Sequence, residues 1–146
     1  MTSFTPSELR FTRTERVTMG NPAAEVLVEQ ADAMGASRVF LLASKTLRQE
    51  TDEIAKIENA LGDRHAATFS GIASHAPRTD VLAATNAARD ARVDLIVSIG
   101  GGSVTDAAKI VALLLKHDVR SIEDFEPLRT YVTEEGAVVN PITAGP

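Results

Sequence analysis

The segment Asp94-Leu-Ile-Val-Ser-Ile-Gly-Gly-Gly-Ser-Val-Thr-Asp-Ala-Ala-Lys109 constrains the fold more than any other stretch of the chain. Its apolar opening reads as a buried strand, Gly100, Gly101 and Gly102 end that strand, and a helix follows from about Ser103 to Lys116. A strand apolar on both faces that turns straight into a helix belongs in a parallel sheet covered by helices.

The rest of the chain repeats that alternation. Phe11, Arg13, Glu15, Val17 and Met19 alternate with Thr12, Thr14, Arg16 and Thr18, which predicts an N-terminal strand or hairpin stopped by Gly20. Asn21 as cap and Pro22 as first helical residue open a helix through Leu27, Ala31 and Met34 that closes at Gly35. Val39 to Ala43 is a strand covered on both faces. Leu47, Ile54, Ile57 and Leu61 then mark a second helix ending at Gly62, and His65 to Phe69 a weaker strand. Gly71 to Arg78 reads as a loop, and Thr79 caps a third helix to about Ala91. Beyond Lys116, Ser121 to Leu128 predicts a short acidic helix, and 131–146 a loop with an apolar patch at Ala137 to Val139. The expected fold is a three-layer, Rossmann-like α/β domain with a mainly parallel sheet flanked by helices, joined by right-handed crossovers.

Composition narrows the function classes. The 146 residues carry 15 Lys+Arg against 20 Asp+Glu, a net charge of −5, which speaks against a nucleic-acid partner. With no cysteine there is no disulfide framework and no thiolate chemistry. The longest apolar run, Ile110 to Leu115, falls far short of the roughly 20 residues that span a bilayer, so no membrane partner is expected. The opening Met-Thr-Ser-Phe-Thr-Pro resembles no secretory signal, and a cytoplasmic location is expected.

The glycine turn carries the chemistry. Backbone without Cβ lets N–H groups converge on an anion, and the helix after it adds unpaired N–H groups and the positive end of its dipole. Neither standard nucleotide motif fits. The Gly-Lys-Ser/Thr of a P-loop is absent, and Thr105 stands where a Rossmann fingerprint has its third glycine. Ser103 with Asp106 three residues on also reads as a capping box, so Asp106 is either structural or part of the site. A single glycine suffices for a simple turn, and three favour anion binding.

The pattern Asp94 to Lys109 resembles the iron-containing, or group III, alcohol dehydrogenases and their maleylacetate reductase relatives, in the wider dehydroquinate-synthase-like group. Ser74-His75-Ala76-Pro77 before a helix is similar to the reductase-like branch. The resemblance runs from about residue 10 to 130. It implies an N-terminal domain holding NAD or NADP, with the pyrophosphate on Gly101, Gly102 and Ser103 beside Gly100, and Asp106 near the cofactor. It implies hydride transfer between nicotinamide and an alcohol or carbonyl carbon, with a divalent metal, iron or zinc, as Lewis acid in the complete enzyme.

Two departures matter. The family's second parallel strand usually ends in an Asp that bonds the adenosine ribose, and Ser44 stands there in this chain. Loss of that carboxylate makes NADP acceptable or preferred, although Ser44 as a helix cap explains the residue equally well. The metal ligands implied by the family belong to a C-terminal helical domain absent from this sequence. The expectation is therefore one NAD(P)-binding domain over 1–146, with 1–10 and 131–146 loop-like and no catalytic or metal-ligating residue of its own. His65 and His117 fit no ligand motif, whereas His75 lies in a loop that could line the cofactor cleft. Asn140 to Pro146 is similar to the family's Pro-Thr-Thr-Ala-Gly-Thr loop but replaces two threonines by Ile142 and Pro146, so it is a look-alike or the connection to that loop. The Thr-rich N-terminal strand could pair with its copy to form a homodimer. The alternative is a stand-alone nucleotide- or phosphometabolite-binding module with a regulatory or scaffolding role.

Overall fold

The computed structural model describes residues 17–128, 131–132 and 138–139. Its centre is β1 (Val39–Ala43), whose five side chains are all fully buried. On one edge β1 pairs in parallel with β2 (His65–Phe69), and on the other with β3 (Leu95–Ile99), giving the order β2-β1-β3. The β1–β3 register is unbroken, from Val39 opposite Leu95 to Ala43 opposite Ile99. Between β1 and β2 it shifts at Val39/Phe40.

Period-two alternation sends the β1 side chains to two separate cores. Phe40 and Leu42 pack with α4 (Arg78–Asp90) and α5 (Gly102–Lys116), through Val81, Ala84 and Ala88 on the one and Val104, Ala107, Val111 and Leu114 on the other. Val39 and Leu41 pack on the opposite face with Ala31 of α1 (Ala23–Ala33) and with Ile57 and Leu61 of α3 (Glu53–Leu61). Each fully buried Leu or Phe contributes about 1.5–3 kcal/mol of transfer free energy, so the strand is held from both sides. Three layers with a parallel sheet are what the apolar, non-alternating strands implied.

The boundaries differ from the sequence expectation in several places. First, the predicted second helix is two helices, α2 (Lys45–Glu50) and α3, separated by an extended Thr51 (φ −135°, ψ 167°). Thr51 Oγ1 donates to the Leu47 carbonyl at 2.6 Å and accepts the Glu53 N–H at 3.3 Å, so one hydroxyl closes the first helix and opens the next. Second, α1 and α4 are entered from Pro22 and Pro77, one residue after Asn21 and two before Thr79. The fixed φ of proline sets the entry without a side-chain cap. Third, Gly101 rather than Ser103 stands at the cap of α5, and no Ser103–Asp106 capping box forms. Fourth, part of the predicted C-terminal loop is strand: Tyr131–Val132 (β4) pairs antiparallel with Val138–Val139 (β5). The predicted acidic helix is a 3₁₀ turn at Glu123–Leu128. The N-terminal strand expected before Val17 and the Asn140–Pro146 tail lie outside the described residues, while 17–19 carry no strand. No helix among the described residues is long and apolar enough to cross a membrane.

Candidate functional site at the glycine turn

Adjacent parallel strands release their chains at the same end of the sheet, and ligands of open α/β sheets bind there. β1 and β3 leave side by side, with the Ser44 N–H donating to the Ile99 carbonyl at 2.8 Å. β3 runs directly into the glycine turn, whose three glycines are not equivalent. Gly100 has φ +152°, and a Cβ added there would lie 2.9 Å from Ser44 Cβ and 3.2 Å from Val104 Cγ2. Conformation and packing both demand glycine at that position. Gly101 has an ordinary extended conformation (φ −85°, ψ −168°), and a Cβ on either Gly101 or Gly102 would meet nothing within 4 Å. Nothing among the described residues fills the space where a side chain at these two would stand.

The Gly101 carbonyl accepts the Val104 and Thr105 N–H groups at 3.1 Å each, which starts α5. The N–H groups of Gly102 and Ser103 precede any intrahelical acceptor, and none is present among the described residues. They border a cavity of about 240 Å³ lined by Ser44, Lys45 and Thr46 after β1, Ile72, Ala73 and Ser74 after β2, and Gly101 to Val104 after β3. Three loops from the same end of three neighbouring strands thus build one cleft. Among the described residues, Lys45 is the only charged side chain in its lining.

The loop after β2 is fastened at two points. Asp80 Oδ2, in the first turn of α4, accepts the Ala73 N–H at 2.9 Å, and Ser103 Oγ accepts the His75 N–H at 3.2 Å. His75 and Ala76 both have positive φ (65° and 46°), a conformation that non-glycine residues adopt at some cost in strain. Of the residues singled out from sequence, Ser44, Gly101, Gly102 and Ser103 line the cavity, and Gly100 shapes the turn behind it. His75 contributes its backbone to Ser103 and is absent from the lining. Asp106 is exposed, outside the lining, and paired with Lys109 at 3.2 Å. Lys45, Thr46 and Ser74 were not anticipated. Their signal was positional, since each follows a predicted strand at the ligand-binding end of the sheet.

A larger groove of about 530 Å³ between α1 and β3 is lined by residues such as Leu27, Met34, Leu95 and Val97, with no ionisable side chain among the described residues. The histidines have structural places. Thr68 Oγ1 donates to Glu58 Oε1 at 2.6 Å and lies 2.8 Å from His65 Nε2, while Arg48 Nη1 reaches the same Glu58 oxygen at 2.9 Å. Partial burial pushes the Glu58 carboxyl up, but the Thr68 hydroxyl and the Arg48 and His65 charges outweigh it and hold the group below its ordinary value. His117 ends α5. Among the described residues, no group of three His, Asp or Glu side chains is placed to hold a metal.

The family model described as iron-containing alcohol dehydrogenase matches residues 14–145. Among curated proteins, the chain is 31% identical over 116 residues to Dehydrogenase FUM7 of Gibberella moniliformis, covering 79% of this chain and 27% of that protein. It is 36% identical over 107 residues to Maleylacetate reductase 2 of Cupriavidus pinatubonensis, covering 73% of this chain and 28% of that protein. Among solved structures, the maleylacetate reductase of Agrobacterium tumefaciens superposes with a TM-score of 0.64 at 29% identity, over 74% of this chain and 30% of that one. A 1,3-propanediol oxidoreductase superposes with a TM-score of 0.60 at 27% identity, over 67% and 26%. The chain thus spans a little over a quarter of the length of these curated relatives. With a match over nearly its whole sequence, the chain belongs to the iron-containing alcohol dehydrogenase family.

Proposed function

We propose that this chain is the NAD(P)-binding part of an oxidoreductase that moves hydride between a nicotinamide and an alcohol or carbonyl carbon. The observation that carries the reading is the contrast within the glycine turn. Gly100 is explained by the fold, whereas a Cβ on Gly101 or Gly102 would face space that no atom of the described residues fills. A bound pyrophosphate explains why that space is kept clear, because its oxygens must come within about 3 Å of backbone nitrogen.

On this reading the Gly102 and Ser103 N–H groups bind phosphate oxygens, helped by the positive end of the α5 dipole. Ser103 Oγ already accepts the His75 N–H, so its own proton is free to be donated into the cleft. The loop after β2 forms the opposing wall and excludes water from one side of the cofactor. In the complete enzyme a divalent metal would polarise the substrate oxygen. Among the described residues no group of three His, Asp or Glu side chains is placed to hold it, and the reading here concerns the dinucleotide alone. The relatives named as a dehydrogenase and a maleylacetate reductase support this over a stand-alone binding module.

Calorimetric titration of the chain with NAD⁺ and NADP⁺ tests the proposal. Saturable binding of at least one dinucleotide is expected, abolished by Gly101→Val in a chain whose thermal melt stays cooperative. Absence of binding of both up to millimolar concentration overturns it.

A further inference from the structure

We infer that Lys45 selects the phosphorylated dinucleotide, by pairing with the 2′-phosphate of an adenosine ribose seated at the end of β1. This rests on the dinucleotide reading of the cleft and adds to it the choice between two cofactors.

The placement comes from the sheet. In dinucleotide-binding α/β folds the pyrophosphate lies on the glycine turn, and the adenosine ribose reaches the end of the neighbouring strand, where a carboxylate reads a free 2′-hydroxyl and a cation accepts a 2′-phosphate. Here the neighbour of β3 is β1, in register along all five of its residues. Its exit is tied to that of β3 by the Ser44 N–H to Ile99 carbonyl bond, and Ser44 Cβ abuts the turn at Gly100. The cavity wall at that strand end is Ser44-Lys45-Thr46.

The charge of the wall points the same way. Among the described residues no Asp or Glu lines the cavity to bridge ribose hydroxyls or to repel an added phosphate. Lys45 is the only ion that the described residues place in it, in a chain with a net charge of −5. Among the described residues its ammonium has no ion pair or hydrogen bond, unlike Arg48, Lys56 and Arg64, which pair with Glu58, with Asp52 and Glu53, and with Asp32. The Ser44 and Thr46 hydroxyls beside it make no hydrogen bond to other described residues and can donate to the same phosphate. A phosphomonoester adds close to two negative charges at neutral pH, and a charge-assisted contact to it is worth about tenfold or more in affinity.

The test compares NAD⁺ with NADP⁺ on the wild-type chain and on Lys45→Gln, Lys45→Arg and Lys116→Gln, each checked for an unchanged thermal melt. Lys116→Gln removes the same charge at the far end of α5, roughly 20 Å along the helix. The expected result is tighter binding of NADP⁺, more salt-sensitive than that of NAD⁺. Lys45→Gln should lose about tenfold or more for NADP⁺ and leave NAD⁺ within about twofold, while Lys45→Arg and Lys116→Gln keep the preference. Equal loss for both dinucleotides would place Lys45 on the shared pyrophosphate and overturn the inference, as would no loss for either. Binding of neither dinucleotide by the wild type defeats the dinucleotide reading itself, a result distinct from both.

Discussion

Asp94 ties the entrance of β3 to that of β1 through Ser37: its Oδ2 accepts the Ser37 hydroxyl at 2.7 Å and the Ser37 N–H at 2.9 Å. Its Oδ1 accepts the Arg38 N–H at 2.9 Å. One carboxylate thereby joins residues 57 and 56 positions apart in the chain. The Ser37 hydroxyl, followed by the Ser37 and Arg38 N–H groups, holds the Asp94 carboxyl below its ordinary 3.8. A lowered folded pKa means that the stabilisation is complete above the unfolded value and disappears as pH falls through the folded one. Asp94→Asn should therefore lower the melting temperature at pH 7, and the gap from wild type should narrow as the pH falls below the ordinary carboxylate range. Thermal melts between pH 2 and 7 check this. A gap that persists undiminished at the acid end would contradict it.

The glycine turn separates fold from binding. Gly100→Ala should destabilise by about 1–3 kcal/mol, because the new methyl meets Ser44 and Val104 and the φ of +152° disfavours it. Gly101→Ala should cost no more than about 1 kcal/mol, its lower N-cap preference, and Gly102→Ala, in the first turn of α5, should be neutral or slightly stabilising. Urea denaturation of the three variants measures the difference.

Glu58 anchors α3 to β2 through Thr68 and to α2 through Arg48. Glu58→Ala leaves the Thr68 hydroxyl and Arg48 without their acceptor and should cost about 1–3 kcal/mol. Glu58→Gln keeps an acceptor and should cost less. Because the carboxyl is held below its ordinary value, its contribution is present at neutral pH and fades on acidification. Chemical denaturation at pH 7 and pH 3 reads both effects.

Phe40 is fully buried between the sheet and the α4–α5 layer. Phe40→Ala should destabilise by about 3–5 kcal/mol, and Leu41→Ala, on the α1–α3 side, by about 2–5 kcal/mol. Comparable losses from adjacent residues facing opposite layers are expected only of a strand with a core on each face, and denaturation midpoints check it.

The pattern of apolar residues made β1, β2, β3 and α5 legible, because burial on both faces or along one stripe writes itself directly into hydrophobicity. Thr51 was not legible. Leu47, Ile54, Ile57 and Leu61 keep near-helical spacing across it, and only the geometry of its hydroxyl shows that the helix divides there. The role of the three glycines was readable as a class, but sequence cannot separate Gly100, which the fold needs, from Gly101 and Gly102, which it does not. Ser103 looked like a cap because Asp106 comes three residues later, yet its oxygen serves a loop 28 residues earlier. The cleft wall at Lys45 and Ser74 depends on which strands are neighbours, and that is tertiary information.

The central place of β1 has a consequence for how the chain is made. Val39 to Ala43 emerges from the ribosome before either strand that will cover its edges, since β2 starts at His65 and β3 at Leu95. At about 5–20 residues per second, its second edge stays open for roughly 3–12 seconds after synthesis. During that interval the central strand of the sheet has an open edge whose backbone groups are bonded only to water, so it is the segment most exposed to pairing with another chain.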